Sequence, residues 1–205
     1  MSIQMAPTKA NLIKSKNMLG FSKKGYDLLD KKRNVLIREM MGLVQRAKIT
    51  QENIQENFES AFEALKIANI TLGFNAVEEL AISVPDTEDF QVLYHSVMGV
   101  EIPEVRFEET PLSVSYGFYR TNAALDEAMV KFRKVRFLTY ELAEIENAVY
   151  KLAMEIKKTQ KRANALDKIQ IPKYKELVKN IEETLEEKER EDFFRLKKIK
   201  DKTKG

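Results

Sequence analysis

Apolar residues recur every seven positions over the first third of the chain. From Leu12 the steps fall on Leu19, Tyr26, Arg33, Met40, Ala47, Ile54, Ala61 and Ala68, and only Arg33 is charged. A companion row runs through Ser15, Ser22, Leu29, Leu36, Leu43, Thr50 and Asn57, apolar at its centre and small or polar at its ends. Two such rows define a packing seam and predict one helix over residues 8–72, roughly 90 Å long at 1.5 Å per residue. From Ile54 the partner row is expected to move one residue on, to Phe58, Leu65 and Leu72, because a straight helix drifts against a strict seven-residue repeat. Gly20, Gly25 and Gly42 soften this helix without stopping it.

A second long helix is expected from about Thr121. Its rows are Leu138, Ile145, Leu152, Thr159 and Leu166, and Leu142, Val149, Ile156 and Ala163. Pro172 interrupts them with an expected kink or short break, after which Tyr174, Val178, Ile181 and Leu185 carry helix to about Lys200, with a frayed end. The segment between the helices reads differently. Gly73-Phe74-Asn75 reads as a helix stop, 76–82 as a short further turn or helix, and Val84-Pro85-Asp86 as a break. Phe90–Met98 and Val100–Phe107 are β-prone runs around Gly99 and predict a hairpin, with Pro103 restricted to an edge or bulge and Thr110-Pro111 closing it. A lone hairpin is marginal in water, so this one should rest on a helix or a partner.

The fold class is therefore mainly α: a long antiparallel two-helix coiled coil with a small hairpin-containing insert. The divisions are 1–72 for the N-terminal arm, 73–120 for the insert, and 121–205 for the C-terminal arm with its kink near Pro172. Closing the arms on each other places both chain ends at one end. A two-helix seam buries little apolar surface, so leftover apolar residues are read as docking surfaces.

Charge sharpens this picture. Residues 1–48 carry eleven Lys or Arg against three acids, 49–110 carry two against thirteen, and 111–170 carry eleven against seven. The tail switches from acidic over 182–192 to basic over 193–205. With both ends together, the tip is basic and the insert acidic, which suits a nucleic-acid surface, a membrane surface or a protein socket. The run Phe193-Phe194-Arg195-Leu196-Lys197-Lys198-Ile199-Lys200 mixes aromatics with cations. The acidic stretch before it favours a socket over a membrane or nucleic acid.

Composition excludes most site chemistry. There are 7 Gly, 5 Pro, 1 His and neither Cys nor Trp among 205 residues. Thiolate ligands, disulfides and cysteine nucleophiles are ruled out, and His95 is read as a surface or packed residue. No phosphate-cradling glycine motif occurs, and no metal site is expected. Glu182, Glu183, Glu186, Glu187 and Glu189 read as a solvated helix face with partners such as Arg190. Arg33 is expected to snorkel or to fix register. The first residues show no signal peptide and no run is long enough to span a membrane, so a soluble, intracellular protein is expected.

The motifs carry a resemblance. Pro7-Thr8-Lys-Ala-Asn-Leu-Ile-Lys and Gly25-Tyr26-Asp-Leu-Leu-Asp-Lys-Lys-Arg33 resemble the N-terminal signature of the D subunit of V-type/A-type rotary ATPases. Lys161-Arg-Ala-Asn-Ala-Leu-Asp-Lys-Ile-Gln-Ile-Pro172 and Glu189-Arg-Glu-Asp-Phe-Phe-Arg-Leu-Lys-Lys-Ile-Lys200 are similar to its C-terminal elements, with Ala163 where Val is usual and Lys161 where Arg is common. Val97-Met98-Gly99-Val100 and Ile102-Pro103 match within the insert. The resemblance implies a left-handed coiled coil that serves as a central-stalk rotor, coupling ATP hydrolysis or synthesis to ion translocation. It further implies no catalytic residue and no cofactor here, nucleotide sites on the A and B subunits, a tip inside the A/B hexamer, and an F subunit and a funnel-shaped membrane-rotor subunit towards the other end. The location implied is cytoplasmic and peripheral to the membrane, without direct insertion.

On that basis Lys9, Lys14, Lys16, Lys23, Lys24, Arg190, Arg195, Lys197 and Lys198 are expected at the hexamer-contacting tip, with Phe193, Leu196 and Ile199 closing its seam against Leu12 and Leu19. The surface for the small stalk subunit is expected at Ile54, Phe58, Phe62, Leu65, Tyr94, Val97, Met98, Val100, Phe107, Phe132 and Leu138. The competing readings are a basic-tipped coiled-coil arm binding nucleic acid, which the acidic middle disfavours, and a self-assembling scaffold.

Overall fold

The computed structural model describes residues 5–84, 90–107, 116–117, 119 and 121–203. The expected break at Pro85-Asp86, the closure at Thr110-Pro111 and the final two residues lie outside the described residues. The order is α1 (Lys9–Leu72), α2 (Phe74–Ile82), β1 (Phe90–Val97), β2 (Val100–Phe107), α3 (Ala123–Ala165), a π-helical turn (Leu166–Gln170) and α4 (Ile171–Thr203). The fold is mainly α, as the apolar rows predict. It divides into two compact units, Met1–Val35 with Ile156–Gly205, and Leu36–Glu155.

In the first unit the Thr8 hydroxyl accepts from the Asn11 N–H at 3.3 Å, an N-cap that sets where α1 begins. Lys9 pairs with Glu189 at 2.8 Å, Lys16 with Glu182 at 2.6 Å, and Arg33 bonds Gln160 at 2.5 Å. Partner numbers fall as α1 advances, so the pairing is antiparallel. The seam buries Ser15, Ser22, Thr159, Ala163, Val178 and Ile181. Small side chains let the helices approach closely, and Ser22 satisfies its hydroxyl by donating to the Met18 carbonyl at 2.8 Å. Arg33 stays partly exposed and spreads its guanidinium over Gln160, Asp30 and Asn34, a polar layer within the seam.

The interruption near Pro172 is a π-helical turn placed just before the proline. The Ile171 N–H reaches the Leu166 carbonyl, a link one residue longer than in an α-helix. This explains a slip in the sequence pattern. Each apolar row steps by seven as far as Leu166 or Ala163, then by eight to Tyr174 or Ile171, then by seven again to Ile181 or Val178. The extra residue in the turn absorbs the slip, and Pro172, which lacks an N–H, follows where the α ladder is already broken. Gly25 faces this turn, and a Cβ there would sit 3.5 Å from Leu166 Cδ1.

In the second unit Arg46 reaches Glu141 at 3.5 Å and Asn122 donates to Thr71 at 2.6 Å, so this pairing is antiparallel too. Its seam holds Leu36, Thr50, Ala61, Ala64, Ala68, Ala128, Val135, Ile145, Ala148 and Leu152. The expected shift of the partner row is corrected here. Ala64 is buried while Phe58 is exposed, and Leu65 and Leu72 flank the seam. Winding of the helices about each other keeps the seven-residue repeat in phase, and the alanines suit the close approach. Gly73 ends α1 with φ 88°, a conformation that favours glycine, and α2 begins at once. Leu65, Ala68 and Leu72 of α1, Val77 and Leu80 of α2, Tyr116, and Ala124 and Leu125 of α3 form a small core. Asn122 caps α3 through its side-chain oxygen, which accepts from the Leu125 N–H at 3.1 Å.

The hairpin pairs Val97 with Val100 and Phe90 with Phe107. Its turn is Met98-Gly99, with φ 52° and 79°, the two-residue geometry that matches strand twist. It rests on α3 through ring contacts, Phe107 on Phe137 at 4.7 Å and Phe90 on Tyr140 at 5.2 Å. The Val105 N–H donates to Glu144 Oε2 at 2.6 Å, so a helix carboxylate holds the outer edge of β2.

Replacing fully buried Leu152 with Ala should cost about 2–5 kcal/mol, read as a lower urea midpoint. Gly42→Ala, where an added Cβ meets nothing, should gain about 1 kcal/mol in the same assay.

Candidate functional site

In the first unit every residue from Glu186 to Thr203 is exposed. The proposed closure of Phe193, Leu196 and Ile199 on Leu12 and Leu19 is therefore corrected. α1 begins only at Lys9, and the Lys9–Glu189 and Lys16–Glu182 pairs place Leu12 near Glu186 and Leu19 near Lys179. Residues 190–203 of α4 run on for roughly 20 Å beyond the start of α1. Phe193, Phe194, Leu196 and Ile199 stay 60–67% exposed, and the two phenylalanine rings meet edge to face at 6.4 Å.

The expected tip cations divide. Lys9 and Lys16 are tied to Glu189 and Glu182, Arg190 to Glu186 at 3.8 Å, and Arg195 to Glu191 and Asp192. Hydrogen bonding and attraction within the first pair raise the Lys9 pKa and lower that of Glu189. Lys14, Lys23, Lys24, Lys197 and Lys198 are exposed, with no ion pair among the described residues. The sequence reading missed Ile13, Phe21 and Leu28, exposed at 61%, 73% and 69%. The signal was available, since all three are apolar yet fall off both seam rows.

In the second unit the structure separates residues grouped from sequence. Phe58 stacks on Phe62 at 5.8 Å, and Phe62 meets Phe132 edge-on at 5.4 Å. Tyr94 lies under the Lys151 ammonium at 4.9 Å. Phe132 and Lys151 are nineteen residues apart on one helix, roughly 28 Å, so these are two patches. Tyr94 and Met98 are exposed, whereas Val100 is buried and Leu65 belongs to the small core. Ile54, Val97, Phe107 and Leu138 are half-buried. His95 is a surface residue 3.9 Å from Glu104. A third apolar group was also missed: Ile67, Ile70, Phe74, Ile82 and Tyr119 are all more than half exposed around the small core.

Among the described residues no His, Cys, Asp or Glu cluster could hold a metal ion, and no helix is long and apolar enough to cross a membrane. Exposed aromatics and aliphatics are interleaved with lysine on α1 and α4, and ring clusters lie on α3.

A family profile described as that of the ATP synthase D subunit matches residues 11–201. The chain belongs to the family of ATP synthase D subunits. It is 48% identical over 200 residues to the V-type ATP synthase D subunit of Thermotoga neapolitana, covering 98% of both chains. It is 36% identical to the A-type ATP synthase D subunit of Pyrococcus furiosus, covering 97% of this chain and 94% of that one. With the A-type protein of Methanobrevibacter smithii it shares 39% over 198 residues, covering 95% and 85%. The family match extends over both helical arms and the hairpin that carry these surfaces.

One group at the small core of the second unit has a distinctive titration. Burial, then its 2.6 Å hydrogen bond to Asp126 and the carboxylate charge, push the Tyr116 hydroxyl up to about 12. A raised folded-state pKa means that the contribution is complete below about 10 and is lost as pH climbs towards 12. Ultraviolet titration should show one of the seven tyrosines ionising late, and Tyr116→Phe should remove that phase. A titration with no late phase would contradict it.

Proposed function

We propose that this chain is the central rotor shaft of a V-type/A-type ATPase, a non-catalytic component that couples ATP hydrolysis or synthesis in an A/B hexamer to ion translocation. Membership of the family supports it, and so does the surface chemistry. The observation that carries it is the α4 segment past Arg190: a helix standing free of α1, with aromatic, aliphatic and cationic side chains all exposed. Such a segment is stable only when something encloses it, and the bore of a hexamer is a suitable enclosure. In this reading Ile13, Phe21 and Leu28 join Lys14, Lys23, Lys24, Lys197 and Lys198 in facing the hexamer.

The mechanism follows from asymmetry. The two arms differ in sequence all along their length, so three equivalent catalytic interfaces meet three different faces. Each face favours a different conformational state, and rotation exchanges which interface holds which state. Contacts must release as readily as they form. Exposed ion pairs worth about 0–1 kcal/mol each meet that need. The F subunit binds the second unit, at the Phe58–Phe62–Phe132 cluster and the hairpin, and the apolar group of Phe74, Ile82 and Tyr119 seats the funnel-shaped subunit. The chain acts on the cytoplasmic side, peripheral to the membrane.

Reversing Lys23, Lys24, Lys197 and Lys198 to Glu should lower ATP turnover or torque of the reconstituted complex severalfold, with the helical circular dichroism unchanged. Normal turnover by the bound variant would remove the tip assignment. Deleting residues 90–107 should weaken the pairing with the F subunit in calorimetry, and an unchanged affinity would count against the hairpin's part in it.

A further inference from the structure

The two edges of the hairpin are managed differently. The closing pair Val97–Val100 exchanges both ladder bonds across a two-residue turn, so pairs then alternate along the strands. Ser96–Glu101, Tyr94–Pro103, Val92–Val105 and Phe90–Phe107 are the pairs without mutual bonds, and their N–H groups point outward. The Val105 N–H confirms this phase independently, since it leaves the sheet to reach Glu144. On β2 the middle of the outward edge is closed, because Pro103 has no N–H and Val105 is bonded to α3, which leaves only the Glu101 N–H open beside the turn.

On β1 the outward groups of Val92, Tyr94 and Ser96 bond to nothing among the described residues. The strand Phe-Gln-Val-Leu-Tyr-His-Ser-Val contains no Lys, Pro or bulge, the usual protections of an edge. Seven of its eight residues are exposed, including Phe90, Val92, Leu93 and Tyr94.

We infer that β1 is a strand-addition site, and that its occupant is an extended segment of the small partner subunit, which completes a three-stranded sheet with this hairpin. The inference rests on the partner surface proposed above and specifies how the hairpin part of it works. Main-chain bonding supplies affinity, and alternate side chains pack on Val92 and Tyr94 or on Leu93 and His95. Tyr94 and Met98, already placed on that surface, make the edge continuous with it. A second copy of this chain fits poorly, because residues 49–110 carry thirteen acids against two bases and would face their own like charge. A neutral or basic strand is the complementary occupant.

The test uses the full chain with the F subunit of the same complex. Hydrogen exchange should slow at least tenfold at the Val92, Tyr94 and Ser96 amides on binding. Ser96→Pro deletes one outward donor and leaves the β1–β2 ladder intact, as Pro103 does on the opposite strand. It should weaken binding at least tenfold, while Glu101→Pro on the far edge leaves affinity unchanged. Binding with unchanged exchange at the three amides, or full affinity for Ser96→Pro, would overturn strand addition and leave the wider partner surface standing. Failure of the F subunit to bind the unaltered chain would overturn both. Concentration-dependent protection of β1 in the chain alone would overturn the inference in favour of self-pairing.

Discussion

The seam between α1 and the returning helices is the constraint on which everything else depends. Each unit is a pair of helices with scarcely any interior beyond one line of side chains. That line must therefore be dense, and it is filled with what packs closely: Ala61, Ala64, Ala68, Ala128 and Ala148 in one unit, Ser15, Ser22, Thr159 and Ala163 in the other. Larger residues such as Leu36, Ile145 and Leu152 occur where the helices leave room for them. So little surface is consumed internally that long apolar side chains remain outside, and these become the material of recognition.

This economy leaves apolar side chains on the outside of each helix pair. It also explains the place of the hairpin. A two-stranded sheet cannot hold itself together, so α3 supplies Phe137, Tyr140 and Glu144 as a platform and leaves one strand facing outward. The proposed role as a shaft would call on faces more than on clefts.

Much of this was legible in the sequence because a seven-residue repeat is a direct imprint of helix pairing. The extents of α1, α2 and the hairpin follow from the rows, Gly73 and Gly99. What was not legible depended on relations between distant residues. The choice of Ala64 over Leu65 for the seam reflects supercoiling, which a row drawn on a straight helix cannot contain. Glu144 as the clamp on Val105 joins residues thirty-nine positions apart through a backbone group that carries no sequence mark. The stagger that strips Phe193, Leu196 and Ile199 of partners is the register of the whole seam, marked by two surface ion pairs, with α1 beginning only at Lys9. By contrast, exposure of Phe21 and Leu28 was readable, since neither lies on a seam row.

The π-helical turn has an angular meaning. One additional residue wound into a regular α-helix would rotate all that follows it by about 100° about the helix axis, and the wider turn takes up that rotation. Without it, the side chains opposite Ser15 and Lys16 would come from a different side of α4, and Phe193 and Arg195 would look out in another direction. The turn thus works as a vernier: five residues before a proline fix the compass bearing of a terminus more than twenty residues away. Its length is consequently less free to vary than its chemistry.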